Sequence, residues 1–282
     1  SDVAERFGTE GALAAAGIRA ASGFSVDNLA AGPDAAVVGA SWPDTHVEVQ
    51  VARARGIPVV PESELRGWLS RQRKTVVVSG VHGKSTTTAL IAWVLTQAGR
   101  DPSYLIGAPA VAGLSGSGQW GRGEHFIVEG DEYAKSQAEK TAKFLDLDPW
   151  ATVITSLEWE HVDAYPDVAA MEQAFGQLVR QTRGPVVACT DWPSVVRAVA
   201  GAPRLITYGS AGDAEYTVHD FRLTSHGSAF TVKRGGATLA AFASQQIGRH
   251  NALNATAALI VCLELGLDAP AFARALLSFR GL

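Results

Sequence analysis

Residues 76–99 constrain the fold more than any other stretch of this 282-residue chain. A β-branched run, Val76-Val77-Val78-Ser79, passes through Gly80-Val81-His82-Gly83-Lys84-Ser85-Thr86 into a Thr- and Ala-rich segment ended by Gly99. The pattern predicts a strand over 75–80 and a helix over 86–98, joined by a phosphate loop. Glycines let backbone N–H groups wrap phosphate oxygens, and the helix N-terminus adds partial positive charge. Lys84 then bridges β- and γ-phosphates, and the hydroxyl of Ser85 or Thr86 takes Mg²⁺. The nucleotide-binding set read here is Gly80, His82, Gly83, Lys84, Ser85 and Thr86, and it implies ATP or GTP. Val78 stands where the common GxxxxGK[ST] spacing has its first Gly. The plain alternative is a Gly turn in which Ser85 is an ordinary N-cap.

Three further clusters follow in order. Glu129-Gly130-Asp131-Glu132-Tyr133 closes the predicted strand HFIVEG (125–130), and carboxylates there suit Mg²⁺, the plain alternative being a solvated acidic turn. Glu158-Trp159-Glu160-His161-Val162-Asp163 follows the predicted strand ATVITS (151–156), where His161 is read as a second metal ligand or a γ-phosphate contact. His250-Asn251-Ala252-Leu253-Asn254 opens a late helix, with Asn251 and Asn254 on one face, able to read a base edge or ribose. Capping by Asn251 is the bland reading of that last group.

Around these clusters the chain reads as α/β. AAVVGA (35–40), a helix over 46–56 and IPVV (57–60) make a βαβ unit of a parallel sheet. Such a unit in a nucleotide-binding domain follows a first strand and Gly-rich turn, which this sequence does not contain. RQRK (71–74) is the expected boundary, giving a partial Rossmann-like domain at 1–73 and a central phosphate-loop domain at 74–282. Further strands are expected at 185–190 and 204–209, and helices at 168–182, 250–265 and 270–279. Residues 214–243 alternate polar and apolar around Gly235-Gly236, which predicts a small antiparallel section. GLSGSGQWGRG (113–123) reads as a mobile loop.

Composition narrows the class. Apolar residues are 47% and charged residues 18%, which excludes disorder. Lys+Arg 24 against Asp+Glu 28 leaves −4, against a general nucleic-acid binder. No secretory leader or membrane-length apolar run is visible, so the reading is cytoplasmic and not membrane-bound. Cys189 and Cys262 read as buried thiols of a reducing compartment.

Taken together, the four motifs resemble the Mur ligases, the ATP-dependent amide-forming enzymes of peptidoglycan synthesis. GVHGKSTTTALIAWVL resembles their phosphate loop, with Val81 and Ser85 replacing two Thr, and VEGDEY resembles their VEADE stretch, with Gly130 for Ala. SLEWEHVDAYPD is similar to N-x-E-x-D-H-x-D with Ser156 for Asn and Glu160 for Asp, while GRHNALNATAAL matches HNxxNAxAA. The resemblance implies catalytic roles for Lys84, Glu129 and His161, metal ligation by Ser85, Thr86, Glu129 and His161, and nucleotide contacts from Asn251 and Asn254. ATP and Mg²⁺ are the implied cofactors. The implied reaction passes through an acyl phosphate on UDP-N-acetylmuramate, which an amine then attacks.

Members adding later residues carry a carbamylated Lys after the His, and no Lys lies between His161 and Arg180. That points to the branch acting on UDP-N-acetylmuramate itself, with L-alanine or a murein tripeptide as partner. DEYAKSQAEKTAKFLDLDP resembles the peptide-recycling members, with Ala134 for their Asp. Against the family pattern the chain reads as cut at both ends, its C-terminal amine-binding domain absent, and inactive in ligation alone. A non-catalytic ATP-binding fragment is the alternative. A GTPase switch is disfavoured, because no Asn-Lys pair exists to read guanine.

Overall fold

The β-branched run at 76–78 becomes an interior strand of a ten-stranded sheet in a computed structural model of the chain. The structure describes residues 10–108, 111–136, 138–160, 164–210 and 212–282. Helix α1 (Glu10–Ala15) and a 3₁₀ turn (Val26–Leu29) lead into β1 (Ala36–Val38), α2 (Val47–Ala54) and β2 (Val59–Pro61). β1 and β2 pair in parallel, Ala36 opposite Val59, as the βαβ spacing predicts. Helix α3 (Glu62–Ser70), which the sequence reading did not anticipate, then crosses to the large sheet. It is tied there by Asp148 N–H donating to Ser70 Oγ at 2.9 Å and by Thr75 Oγ1 donating to Ser70 O at 2.7 Å.

The large sheet begins at β3 (Lys74–Ser79), followed by α4 (Lys84–Gln97), β4 (Ser103–Leu105), β5 (Gly118–Gln119) and β6 (His125–Gly130). A 3₁₀ turn (Lys143–Asp146) precedes β7 (Ala151–Ile154), α5 (Val168–Gln181), β8 (Val186–Cys189), α6 (Pro193–Ala198) and β9 (Leu205–Gly209). The chain ends with β10 (Tyr216–Thr224), β11 (Gly227–Arg234), β12 (Ala237–Ser244), α7 (Arg249–Glu264) and α8 (Ala269–Ser278). Strand order is β12-β11-β10-β9-β8-β7-β3-β6-β4-β5. The run from β10 to β4 is parallel, and β5, β11 and β12 join antiparallel. Gly235 and Gly236 both take positive φ, the geometry a two-residue type I′ hairpin requires.

Every residue of β3 from Thr75 to Ser79 is fully buried, the signature of a parallel strand covered on both faces. Alternation divides the core. Val76 and Val78 pack with Ile91, Leu95, Ala258 and Phe272 on the face of α4, α7 and α8. Val77 packs with Val128, Phe144, Ile154 and Phe175 on the face of α5 and α6. Helix α4 has almost no amphipathic bias because it is enclosed, between the sheet and α7. Residues 113–123 are more ordered in role than a mobile loop. They supply β5, Tyr104 Oη meets Ser115 Oγ at 2.9 Å, and Asp101 accepts from the N–H groups of Arg122 and Gly123. A side chain at Gly121 or Gly123 would collide with the backbone of residues 100–102. Among the described residues no helix is long and apolar enough to cross a membrane.

Candidate functional site

The chain turns one way after β3 to reach β6 and β4 and the other way to reach β7, so the end of β3 is a topological switch point. Ligands of open α/β sheets lie at the carboxyl end of such strands. Gly80 leaves β3 at φ 127°, and a Cβ there would strike Ser156 N and O at under 3 Å. Gly83 sits at φ 82° as the N-cap of α4, with Asn254 in the space its Cβ would take. The helix thus starts at Lys84, two residues before the expected Thr86, and Ser85 is not its cap. Among the described residues no side chain caps the first turn of α4 or of α7, whereas α5 and α8 carry Asp167 and Asp268 caps. Uncapped first-turn amides are what an anion needs.

Lys84 Nζ lies 2.9 Å from Glu132 Oε1 and 3.4 Å from Val81 O. The side chain of Glu132 is 1% exposed and that of Lys84 12%. Sequence reasoning placed Glu132 in the acidic cluster but missed it as the partner of the loop lysine. Glu129, half-buried at the last turn of β6, accepts from Gly107 N–H at 2.8 Å. Asp131 is taken by Lys143 at 3.3 Å. The Tyr165 hydroxyl donates to Glu132 O at 2.7 Å. Burial pushes its pKa up, and the Glu132 and Asp131 carboxylates push it further, so it stays a donor.

A cavity of about 560 Å³ runs from the loop to α7, lined by His82, Gly83, Thr86, Trp192, Asn251 and Asn254 among others. Asn254 Nδ2 donates to Asn251 Oδ1 at 3.2 Å, and Asn251 Nδ2 donates to Ile247 O at 2.9 Å. The two amides therefore do share a face, and Gly248, not Asn251, is the cap. Trp192 was not singled out from the sequence; its ring centroid is 6.4 Å from that of His82. His82 Nε2 faces Glu158 Oε2 at 3.4 Å in an exposed pair. Cys189 also lines the cavity, where burial raises its thiol to about 12 and keeps it neutral. His161, with Val162 and Asp163, lies outside the described residues. Among the described residues no three His, Cys, Asp or Glu side chains cluster as a metal site. A second cavity, about 390 Å³, lies beside β1 under Phe24, Trp42 and His46, whose rings pack within 5 Å of one another.

Residues 78–262 match the model of the Mur ligase middle domain. This chain belongs to the Mur ligase family. A UDP-N-acetylmuramate–L-alanine ligase from Chlorobium phaeobacteroides (strain BS1) is 36% identical over 275 residues, covering 96% of this chain and 57% of that protein. The corresponding ligase of Frankia casuarinae is 36% identical, covering 89% and 52%. The chain thus spans a little over half the length of these curated relatives. Among solved structures, the UDP-N-acetylmuramate:L-alanyl-gamma-D-glutamyl-meso-diaminopimelate ligase from Neisseria meningitides superposes with TM-score 0.88 at 25% identity, over 100% of this chain and 90% of that one. The UDP-N-acetylmuramate–alanine ligase of Thermotoga maritima gives 0.82 at 26%, over 96% and 60%. The family and the fold are therefore the ones that the resemblance of the motifs implied.

Proposed function

We propose that the chain is the ATP-handling part of a ligase that joins an amine to UDP-N-acetylmuramate in the cytoplasm. One observation carries the reading. The uncapped first turn of α4 has Lys84 in it, paired with Glu132 at 2.9 Å, and borders a cavity that reaches Asn251 and Asn254. That spacing suits a nucleotide triphosphate, its phosphates at the helix and its base toward α7. In this reading 74–282 holds ATP and 1–73 belongs to the domain for the UDP-sugar. The lactyl carboxylate attacks the γ-phosphorus, ADP leaves, and the amine then displaces phosphate from the acyl phosphate. Lys84 holds the β- and γ-phosphates, while the first-turn amides take charge that builds on the transferred group.

The donor set fits Mg²⁺, which prefers hard oxygens and keeps several waters instead of an all-protein cage. Glu129 with Ser85 or Thr86 would hold it, and the resemblance adds His161. When bound, the ion neutralises phosphate charge. For the amine, the relatives at 36% identity favour L-alanine over the murein tripeptide. The test is ADP release by the full-length protein with UDP-N-acetylmuramate, comparing L-alanine with the tripeptide. Release dependent on both the sugar nucleotide and one amine is expected. ATP turnover indifferent to UDP-N-acetylmuramate would refute the assignment.

A further inference from the structure

Two hydroxyls at the end of β7 grip the phosphate loop from the side. Thr155 Oγ1 donates to His82 O at 2.5 Å and lies 3.2 Å from Ser79 O. Ser156 Oγ accepts from His82 N–H at 2.8 Å, and Ser156 O accepts from Val81 N–H at 3.2 Å. Thr155 N–H donates to Ser79 O at 3.0 Å. Both side chains are almost wholly buried, so water competes little for these bonds. Gly80 permits the approach, since any side chain there would meet Thr155 and Ser156.

The consequence concerns which amides remain for phosphate. In the GxxxxGK[ST] pattern the loop N–H groups cradle the phosphates. Here Val81 and His82 spend theirs on β7, which leaves the first turn of α4, from Gly83 to Thr86, as the cradle. We propose that Thr155 and Ser156 are positioning residues: they lock His82 through both its N–H and its C=O, and so fix the angle at which α4 presents its first turn to the nucleotide phosphates. The inference rests on the nucleotide reading above and deepens it. A loop held this way is set before ligand arrives, and less ordering remains to be done on binding.

The test is calorimetric titration of the full-length protein with ADP. Thr155→Val keeps shape and removes the hydroxyl, whereas Thr155→Ser keeps the hydroxyl. Thr152→Val is the matched control: it removes another buried hydroxyl of β7, bonded to Thr182 Oγ1 at 2.6 Å, and leaves the loop alone. Thr155→Val is expected to weaken ADP binding roughly five- to tenfold, the scale of one hydrogen bond's net worth. Thr155→Ser and Thr152→Val are expected to bind like the unaltered protein, even where Thr152→Val lowers the melting temperature as much. Ser156→Ala tests the other half of the grip, with the same loss expected, and carries the test if Thr155→Val fails to fold. ADP binding unaffected by Thr155→Val or Ser156→Ala, or equally weakened by Thr152→Val, would overturn the proposal. Absence of ADP binding in the unaltered protein would instead refute the nucleotide reading, and the grip's role with it.

Discussion

Lys84 and Glu132 form a pair whose two halves differ in environment, and that difference predicts an asymmetry in stability and in binding. The partners are 2.9 Å apart, with Lys84 partly open to solvent and Glu132 enclosed. Removing one member of a buried pair costs about 3–5 kcal/mol, because the remaining charge keeps its desolvation penalty. Lys84→Met keeps the aliphatic stem and takes the cation from a carboxylate at 1% exposure, so it should fall in that range. Glu132→Gln leaves an ammonium that retains Val81 O at 3.4 Å and partial access to solvent. Its cost should be nearer the ~1.5 kcal/mol at the low end for a charged hydrogen bond. Nucleotide binding should respond differently again. Lys84→Met removes the phosphate ligand, so the stabilisation that a bound ligand confers by mass action, ~2.7 kcal/mol at a hundredfold excess over Kd, should vanish. Glu132→Gln should keep it, since the ammonium is released to the phosphates. Urea unfolding of both variants, with and without a non-hydrolysable ATP analogue and Mg²⁺, measures all four quantities. Equal costs for the two variants would refute the burial argument. Full ligand-linked stabilisation of Lys84→Met would refute the role of Lys84.

Other consequences are more local. His125 is buried, its Nδ1 has no hydrogen-bond partner among the described residues, and desolvation lowers its pKa, with Lys74 and Arg100 adding to the effect and Glu124 opposing it. The unfolded chain therefore binds the proton more readily, so this residue's share of stability is whole above the unfolded pKa of about 6.5 and drains away as pH falls through the folded value. Thermal melts from pH 7.5 down to pH 5 should show a steeper loss for the unaltered protein than for His125→Gln; parallel curves would exclude the effect. Gly83→Ala places a Cβ at φ 82° against the Asn254 amide and should cost about 1–3 kcal/mol and weaken nucleotide binding, read by melting and calorimetry; an unchanged protein would mean the loop relaxes freely. Cys189 and Cys262 are enclosed and their thiols pushed up by burial, so a thiol reagent at neutral pH should modify neither until urea unfolds the chain. Modification of the folded protein would contradict that burial.

What the sequence made readable follows the range of the interactions involved. Strand β3, the loop glycines and the α7 amides lie within short windows, where a period of two, a positive φ or an i, i+3 spacing is enough. Short pieces escaped because they hold too few residues to show a period; β4 and β5 have three and two. α3 and α6 open on Pro61 and at Pro193, start signals that were present but brief. The polar pairs escaped for a different reason. Glu132 is 48 residues from Lys84, and Ser156 is 74 from His82, so their meeting depends on β6 and β7 flanking β3 in the finished sheet. An acidic run near a loop can be written down from spacing, but which of its members meets the lysine is decided by where β6 ends and by Tyr165, whose hydroxyl fixes the backbone at Glu132. The same holds at Ser156, where the family motif has Asn: the substitution looks like a lost site residue in one dimension. In three it closes a hydrogen bond on the loop it faces. Motif departures in this chain are therefore best judged against the strand that packs beside them, not against the motif alone.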